Sequence, residues 1–255
     1  MPSDIGHGPP ALVTISGALI AYIHTFFGFA AFGGALFVAL YLHYHKVVKN
    51  GIAGWPQEYW PSVSATIGDW YPERNLFQIG IALMSGPRFM LVFLSSLLVS
   101  LSKPSSSHAI ILALVGSLRT VAAGGFIYIT SSDDHDMHDI AMAVYLILTP
   151  PWMYITSGSL AAQPNKETLM ATSSKDLLAH QARRMRRLAA IGFFSMMPFM
   201  IYFFYRHKVS GRWAIVEIFM RRFAKINFPL SKVLEIPGAY THYAFFEWGL
   251  IIFVS

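Results

Sequence analysis

The 255-residue sequence contains no cysteine, which excludes disulfides, thiol catalysis, cysteine-ligated zinc and iron–sulfur clusters. It is also poor in charge: 13% of residues are Asp, Glu, Lys or Arg, against 55% hydrophobic, about half the charged share usual in soluble domains. Water is therefore not the main solvent of this chain. The few charges are unevenly spread and leave stretches of about 20 residues almost free of them, the length a helix needs to cross a bilayer. The period-2 pattern of a membrane barrel is missing as well, so the spans must be helices, which satisfy every backbone N–H internally. Residues 1–10 lack the basic start of a cleaved signal peptide, and the first apolar stretch is expected to be a retained span.

What is present predicts an all-α, polytopic transmembrane helix bundle of about six spans, forming a single domain over residues 1–255. The spans are placed at 18–42, 76–101, 109–130, 140–162, 188–205 and from 239 onward. Small residues such as Gly28, Gly33, Gly34, Gly124 and Gly125 let membrane helices approach closely. The formal charge of +6 gathers beside apolar stretches, where basic residues set topology and meet anionic head groups; nucleic acid is not an expected partner. The stretch 163–187 carries Lys166, Lys175 and the cluster Arg183, Arg184, Arg186 and Arg187 against only Glu167 and Asp176, so it is expected to be cytoplasmic. Alternation then places 43–75 and 131–139 in the lumen.

Four blocks carry chemistry in register: Pro61-Ser-Val-Ser-Ala-Thr-Ile-Gly-Asp-Trp-Tyr-Pro-Glu-Arg74; Ser85-Gly-Pro-Arg-Phe89; Tyr128-Ile-Thr-Ser-Ser-Asp-Asp134 with His138; and Tyr240-Thr-His-Tyr-Ala-Phe-Phe-Glu247. In this order and spacing they resemble the post-GPI-attachment-to-proteins factor family, whose pattern also occurs in the N-terminal part of the yeast calcofluor-white-hypersensitive protein. The resemblance covers about 59–248. It implies a multi-pass protein of the Golgi or endoplasmic reticulum that acts on the lipid of glycosylphosphatidylinositol (GPI) anchors. In animal members that means reacylating the lyso-GPI, and in the yeast protein exchanging diacylglycerol for ceramide. The same family pattern runs from an Arg-His pair, here Arg206-His207, almost directly into the Tyr240 block. Residues 209–235 are accordingly expected to be a non-native insertion, a retained intron. Val209-Ser210 and Val254-Ser255 both read like an in-frame donor splice sequence, and the chain is expected to stop within its last span. The competing reading is an interfacial amphipathic helix over 213–226.

The roles of individual residues are read from their chemistry. Arg88 lies deep within a span, where an unpaired cation costs several kcal/mol. Its partner is expected to be either a phosphate of the lipid substrate, matched by the planar guanidinium, or Glu247, the other intramembrane ion of the recognised blocks. Arg119 is equally deep and reads as structural. Arg74, at the mouth of its span, is expected to contact substrate, and Glu73 to be a solvated helix cap. Ser62 and Ser64 lack the Gly-x-Ser-x-Gly setting of a nucleophile elbow and are expected to hydrogen-bond the loop or a lipid head group. Asp134 and His138 are four apart, as are His135 and Asp139, so a helical start would place each pair on one face. An Asp there also caps a helix with no ligand at all, and no metal is assigned. His138 is expected to be a general base that deprotonates a glycerol hydroxyl, with Asp134 beside it and Glu247 as a further catalytic candidate. The alternative for His138 is a loop histidine bonded to Asp134. His24, His43, His45 and His242 read as structural.

The expected function is GPI-anchor lipid remodelling by an acyl or lipid transferase, with GPI-anchored proteins, their phospholipid and membrane lipids as partners and no cofactor. The alternative is a non-enzymatic lipid-binding subunit that presents the GPI lipid to a separate transferase. A small transporter fits less well, since the spans show neither repeat nor broken helix pair.

Overall fold

The computed structural model describes residues 16–50, 53–102, 107–159, 174–223 and 239–254. Eight helices account for the secondary structure of these residues: α1 (Gly17–Leu42), α2 (Tyr44–Val47), α3 (Val63–Gly68), α4 (Glu73–Ser102), α5 (His108–Tyr128), α6 (His135–Ser159), α7 (Ser174–Phe223) and α8 (Ala239–Val254). Five are long and apolar enough to cross a membrane: Gly17–Leu42, Glu73–Leu101, His108–Tyr128, His135–Ser157 and Arg184–Arg206. The sixth apolar stretch is α8, 16 residues long and packed along α7. Apolar side chains also cover the outside of the bundle: Phe37, Leu114 and Ile147 are 66–72% exposed, as expected where lipid is the solvent.

Neighbours in the chain are neighbours in space, with α1 against α4, α4 against α5, α5 against α6 and α7 against α8. Small residues set the spacing: Gly80 of α4 faces Ala31 of α1, and Gly116 of α5 faces Trp152 and Val92. One apolar core joins α1, α3, α4 and α5 around Phe77, Ile81 and Ile67, and a second joins α6, α7 and α8 around Phe193, Met200 and Tyr243. Prolines interrupt three of the ladders, Pro87 in α4, Pro150-Pro151 in α6 and Pro198 in α7, removing donors that would bond one turn back. Hydroxyls cover nearby carbonyls, Ser85 Oγ on Ile81 O and Thr149 Oγ1 on Tyr145 O, each at 2.7 Å.

One expectation needs adjustment. The stretch 163–187 is not simply a loop between spans: from Ser174 onward it is already part of α7. Hydropathy locates lipid, whereas residues 174–187 contain no Gly or Pro and are rich in strong helix formers such as Leu, Ala, Arg and Gln. The 50 residues of α7 measure roughly 75 Å at 1.5 Å per residue, against a hydrocarbon core of about 30 Å. For 209–235, the backbone is helical through Phe223, while 224–235 lies outside the described residues, as do 1–10 and 163–173.

Candidate functional site

The loop after α1 and the α5–α6 connection meet at one end of the bundle over the start of α8. The sequence dictates a turn there: Ser62 has extended backbone and its Oγ accepts from Ala65 N at 3.1 Å, the N-cap of α3. Four residues of α8 fix that turn. Tyr240 OH accepts from Ser62 N at 3.1 Å and lies 3.1 Å from both Ser62 Oγ and Val47 O. Val63 N donates to Glu247 Oε2 at 2.8 Å, and Trp248 Nε1 to Pro61 O at 3.0 Å. The fourth tie is Glu58, wholly buried, whose Oε2 accepts from Thr241 N at 2.9 Å and Thr241 Oγ1 at 2.7 Å. Sequence reading passed over Glu58; the available signal was an acid in an aromatic-rich loop facing a Tyr-Thr pair in the last block.

On the other side, α3 touches α6. Ser64 Oγ lies 3.2 Å from His138 Nε2, and His138 Nδ1 lies 3.0 Å from Ile129 O. A carbonyl can only accept, so Nδ1 carries the proton and Nε2 offers its lone pair to the Ser64 hydroxyl. His138 is buried, with the Phe126 ring edge-on at 6.1 Å. Asp134 is not its side-chain partner: the Asp134 carboxylate caps α6 by accepting from Met137 N at 3.0 Å, so its own helix start consumes the group that spacing had offered to His138. The second spaced pair does form, with His135 Nε2 at 3.5 Å from Asp139 Oδ2.

Arg74 donates to Asp133 Oδ2, which also accepts from Thr130 N at 3.2 Å and Thr130 Oγ1 at 2.9 Å. These bonds, the Arg74 one first, hold the Asp133 carboxyl below its usual range. A lowered value means the tie is complete above the unfolded carboxylate range and is lost as pH falls through the folded value. The gap in unfolding temperature between the protein and its Arg74→Ala variant should therefore be constant from pH 7 to about 5 and close below about 4; a gap unchanged at pH 3 would rule out this tie. Glu73, expected to be a solvated cap, is instead fully buried, with Oε1 at 2.7 Å from His43 Nδ1, because the chain leaving α1 folds back over the start of α4.

Deeper in the bundle lies a cavity of about 100 Å³ whose wall includes His24, Arg88, Phe126, Tyr145, Val63 and Glu247. Arg88 and Glu247 both face it and do not pair. Glu247 is engaged by Val63 N and the Tyr243 hydroxyl, and Arg88 Nη2 donates to Tyr145 OH at 3.2 Å. Arg119 joins it, donating from Nη2 to the same hydroxyl at 2.9 Å and from Nε to Thr149 Oγ1 at 3.0 Å. Both guanidinium groups lie over the Tyr145 ring, at 5.6 and 4.6 Å. Among the described residues no carboxylate pairs with either arginine. Tyr145 was invisible in the sequence, one aromatic within an apolar run, and Arg119 lay outside the recognised blocks.

Fold and site together define a class: helical multi-pass membrane proteins with a cationic cavity inside the bundle, roofed by a turn pinned to α8. Within that class, residues 16–255 match the family described as Frag1/DRAM/Sfk1/Cwh43P N-terminal domain, and the chain belongs to this family. It is 39% identical over 240 residues to Protein cwh43 of Schizosaccharomyces pombe, covering 94% of this chain and 20% of that protein. It is 26% identical over 196 residues to Post-GPI attachment to proteins factor 2-like of Drosophila melanogaster, covering 71% of this chain and 58% of that protein. The chain thus spans a minor part of the first relative and little more than half of the second. No solved structure matches. The resemblance read from the four blocks is borne out.

Proposed function

We propose that the protein remodels the lipid of GPI anchors in the Golgi or endoplasmic reticulum membrane, acting on GPI-anchored proteins. The observation that carries this reading is the pair Arg88 and Arg119, converging on Tyr145 at span depth with no carboxylate partner among the described residues. Two cations in hydrocarbon call for an anion, and the apolar cavity beside them calls for a ligand that is mostly chain; a phospholipid offers both. The Drosophila relative, a post-GPI attachment to proteins factor by name, points to the GPI lipid among phospholipids. In this reading the phosphate sits on Arg88 and Arg119, Arg74 and the Ser62 turn stand at the head-group end, and His138 is the base for the reacting hydroxyl. Glu247 positions the turn at the cavity wall, and Asp134 holds the start of α6 that carries His138.

The test is an anchor-lipid analysis in cells that depend on this protein. Arg88→Ala is expected to reach the membrane at normal level yet lower remodelled anchors about tenfold or more, with Arg88→Lys recovering little because an ammonium lacks the planar two-pronged geometry. Normal remodelled anchors in the Arg88→Ala cells would remove the site assignment.

A further inference from the structure

We propose that Ser64 is a catalytic nucleophile, activated by His138, that carries an acyl chain from a glycerophospholipid to the lysolipid acceptor. This rests on the lipid-remodelling reading and narrows it to acyl transfer through a covalent intermediate.

The direction of the hydrogen bond is the first ground. With Nδ1–H committed to Ile129 O at 3.0 Å, the imidazole faces Ser64 Oγ at 3.2 Å as an acceptor, the polarity a base needs toward a nucleophile. The Ile129 carbonyl takes the place that a carboxylate holds in the common triad, fixing tautomer and ring orientation. The second ground is the contrast between two serines two residues apart. Ser62 is buried, and its hydroxyl is occupied by Ala65 N and Tyr240 OH. Ser64 is only partly buried, and among the described residues the side-chain partner of its hydroxyl is His138. The third ground is rigidity: the residues just before it are fixed by Val63 N to Glu247, Ser62 N to Tyr240 and Trp248 to Pro61, and the one after it by Ala65 N to Ser62 Oγ. Position is the fourth. Val63, next to the nucleophile, and Phe126, packed edge-on to the base, both line the cationic cavity, so the dyad adjoins the chamber assigned to the lipid.

The chemistry balances without any redox partner. Nε2 takes the Ser64 proton as Oγ attacks the ester carbonyl of the donor phospholipid. The bond from that carbon to the glycerol oxygen breaks, and His138 passes its proton to the leaving oxygen, releasing a lysophospholipid. The acceptor hydroxyl then gives its proton to Nε2 and attacks acyl-Ser64, and Oγ recovers the proton. One ester is broken and one is formed.

The purified protein in nanodiscs would be given phosphatidylcholine with a radiolabelled acyl chain, with lysophosphatidylinositol as acceptor. We expect covalent label on the protein, located at the Ser64 peptide by mass spectrometry. Ser64→Ala and His138→Gln should lose transfer by about 100-fold or more, and Ser64→Ala should carry no label. Ser64→Cys, which keeps a donor toward His138, should hold the label as a thioester released by neutral hydroxylamine. Unchanged transfer by Ser64→Ala overturns the proposal, and so does its loss when neither the unaltered protein nor Ser64→Cys carries label, which would make Ser64 a structural tie. The two readings separate in cells. Ser64-dependent transfer in nanodiscs with unaltered GPI lipids in cells leaves the nucleophile and removes the GPI substrate. Normal anchors in Ser64→Ala cells, with the Arg88→Ala defect retained, remove the nucleophile and leave the GPI substrate.

Discussion

Tyr145→Phe is expected to lower both stability and anionic-lipid binding, although it deletes a single oxygen. The ring stays, and with it the stacking under Arg88 and Arg119. What goes is the acceptor shared by both guanidinium groups, at 3.2 and 2.9 Å. Arg119 keeps Thr149 Oγ1, but Arg88 loses the hydrogen bond that orients it toward the cavity. Buried donors stripped of their acceptor cost ~1–3 kcal/mol each, and charged ones more, so a loss of about 2–4 kcal/mol is expected. Thermal unfolding in detergent measures it, and titration with a short-chain phosphatidylinositol should give affinity reduced about tenfold, equal to ~1.4 kcal/mol. Unchanged unfolding temperature and unchanged affinity would mean that the shared hydroxyl does not organise the arginines.

Gly80→Val is expected to cost a comparable amount, and through packing alone. A Cβ at Gly80 would lie 2.6 Å from Ala31 Cβ and 3.2 Å from Ala31 Cα, and backbone cannot swing aside as a side-chain tip can. The seam has no slack nearby, because Gly28 faces Met84 and Gly34 faces Leu76, each at 3.2 Å. Helices α1 and α4 must separate, and overpacking by even a methyl group typically costs ~1–3 kcal/mol. The separation also moves His24 on α1 away from Arg88 on α4, which share the cavity wall. Gly33→Val is the control, since a Cβ there meets nothing within 4 Å. Unfolding temperature and membrane level should drop sharply for Gly80→Val and stay near normal for Gly33→Val; equal behaviour of the two variants would refute the close α1–α4 contact.

Hydropathy made the spans legible because lipid selects for apolar length, and it missed the true start of α7 because helix formation there depends on backbone propensity in an Arg-rich stretch. The demand of Arg88 for a partner could be read from burial energetics alone. Its partner could not, because Tyr145 lies 57 positions away in a run where one more aromatic carries no signal. Spacing brought Asp134 and His138 onto one helix start, yet a carboxylate at that point bonds its own free amide first. The serine that does reach His138 is 74 positions away, a distance no local pattern encodes. Glu247 was expected to be an acid within the last span, and the groups that satisfy it are an amide of the first loop and a tyrosine one turn away.

The tie between the first loop and α8 also orders events during synthesis. Val63 reaches Glu247 across 184 positions, and Glu58 reaches Thr241 across 183. The ribosome therefore delivers the Ser62 turn long before the helix that fixes it, and at ~5–20 residues per second the turn waits on the order of ten seconds or more. Until α8 arrives, Glu58 and the amides of Tyr59, Trp60, Ser62 and Val63 must be served by water or by a chaperone. Any newly made chain halted before residue 239 would hold its arginines in the bilayer yet lack the partners that fix the Ser62 turn, which is completed only when α8 is in place.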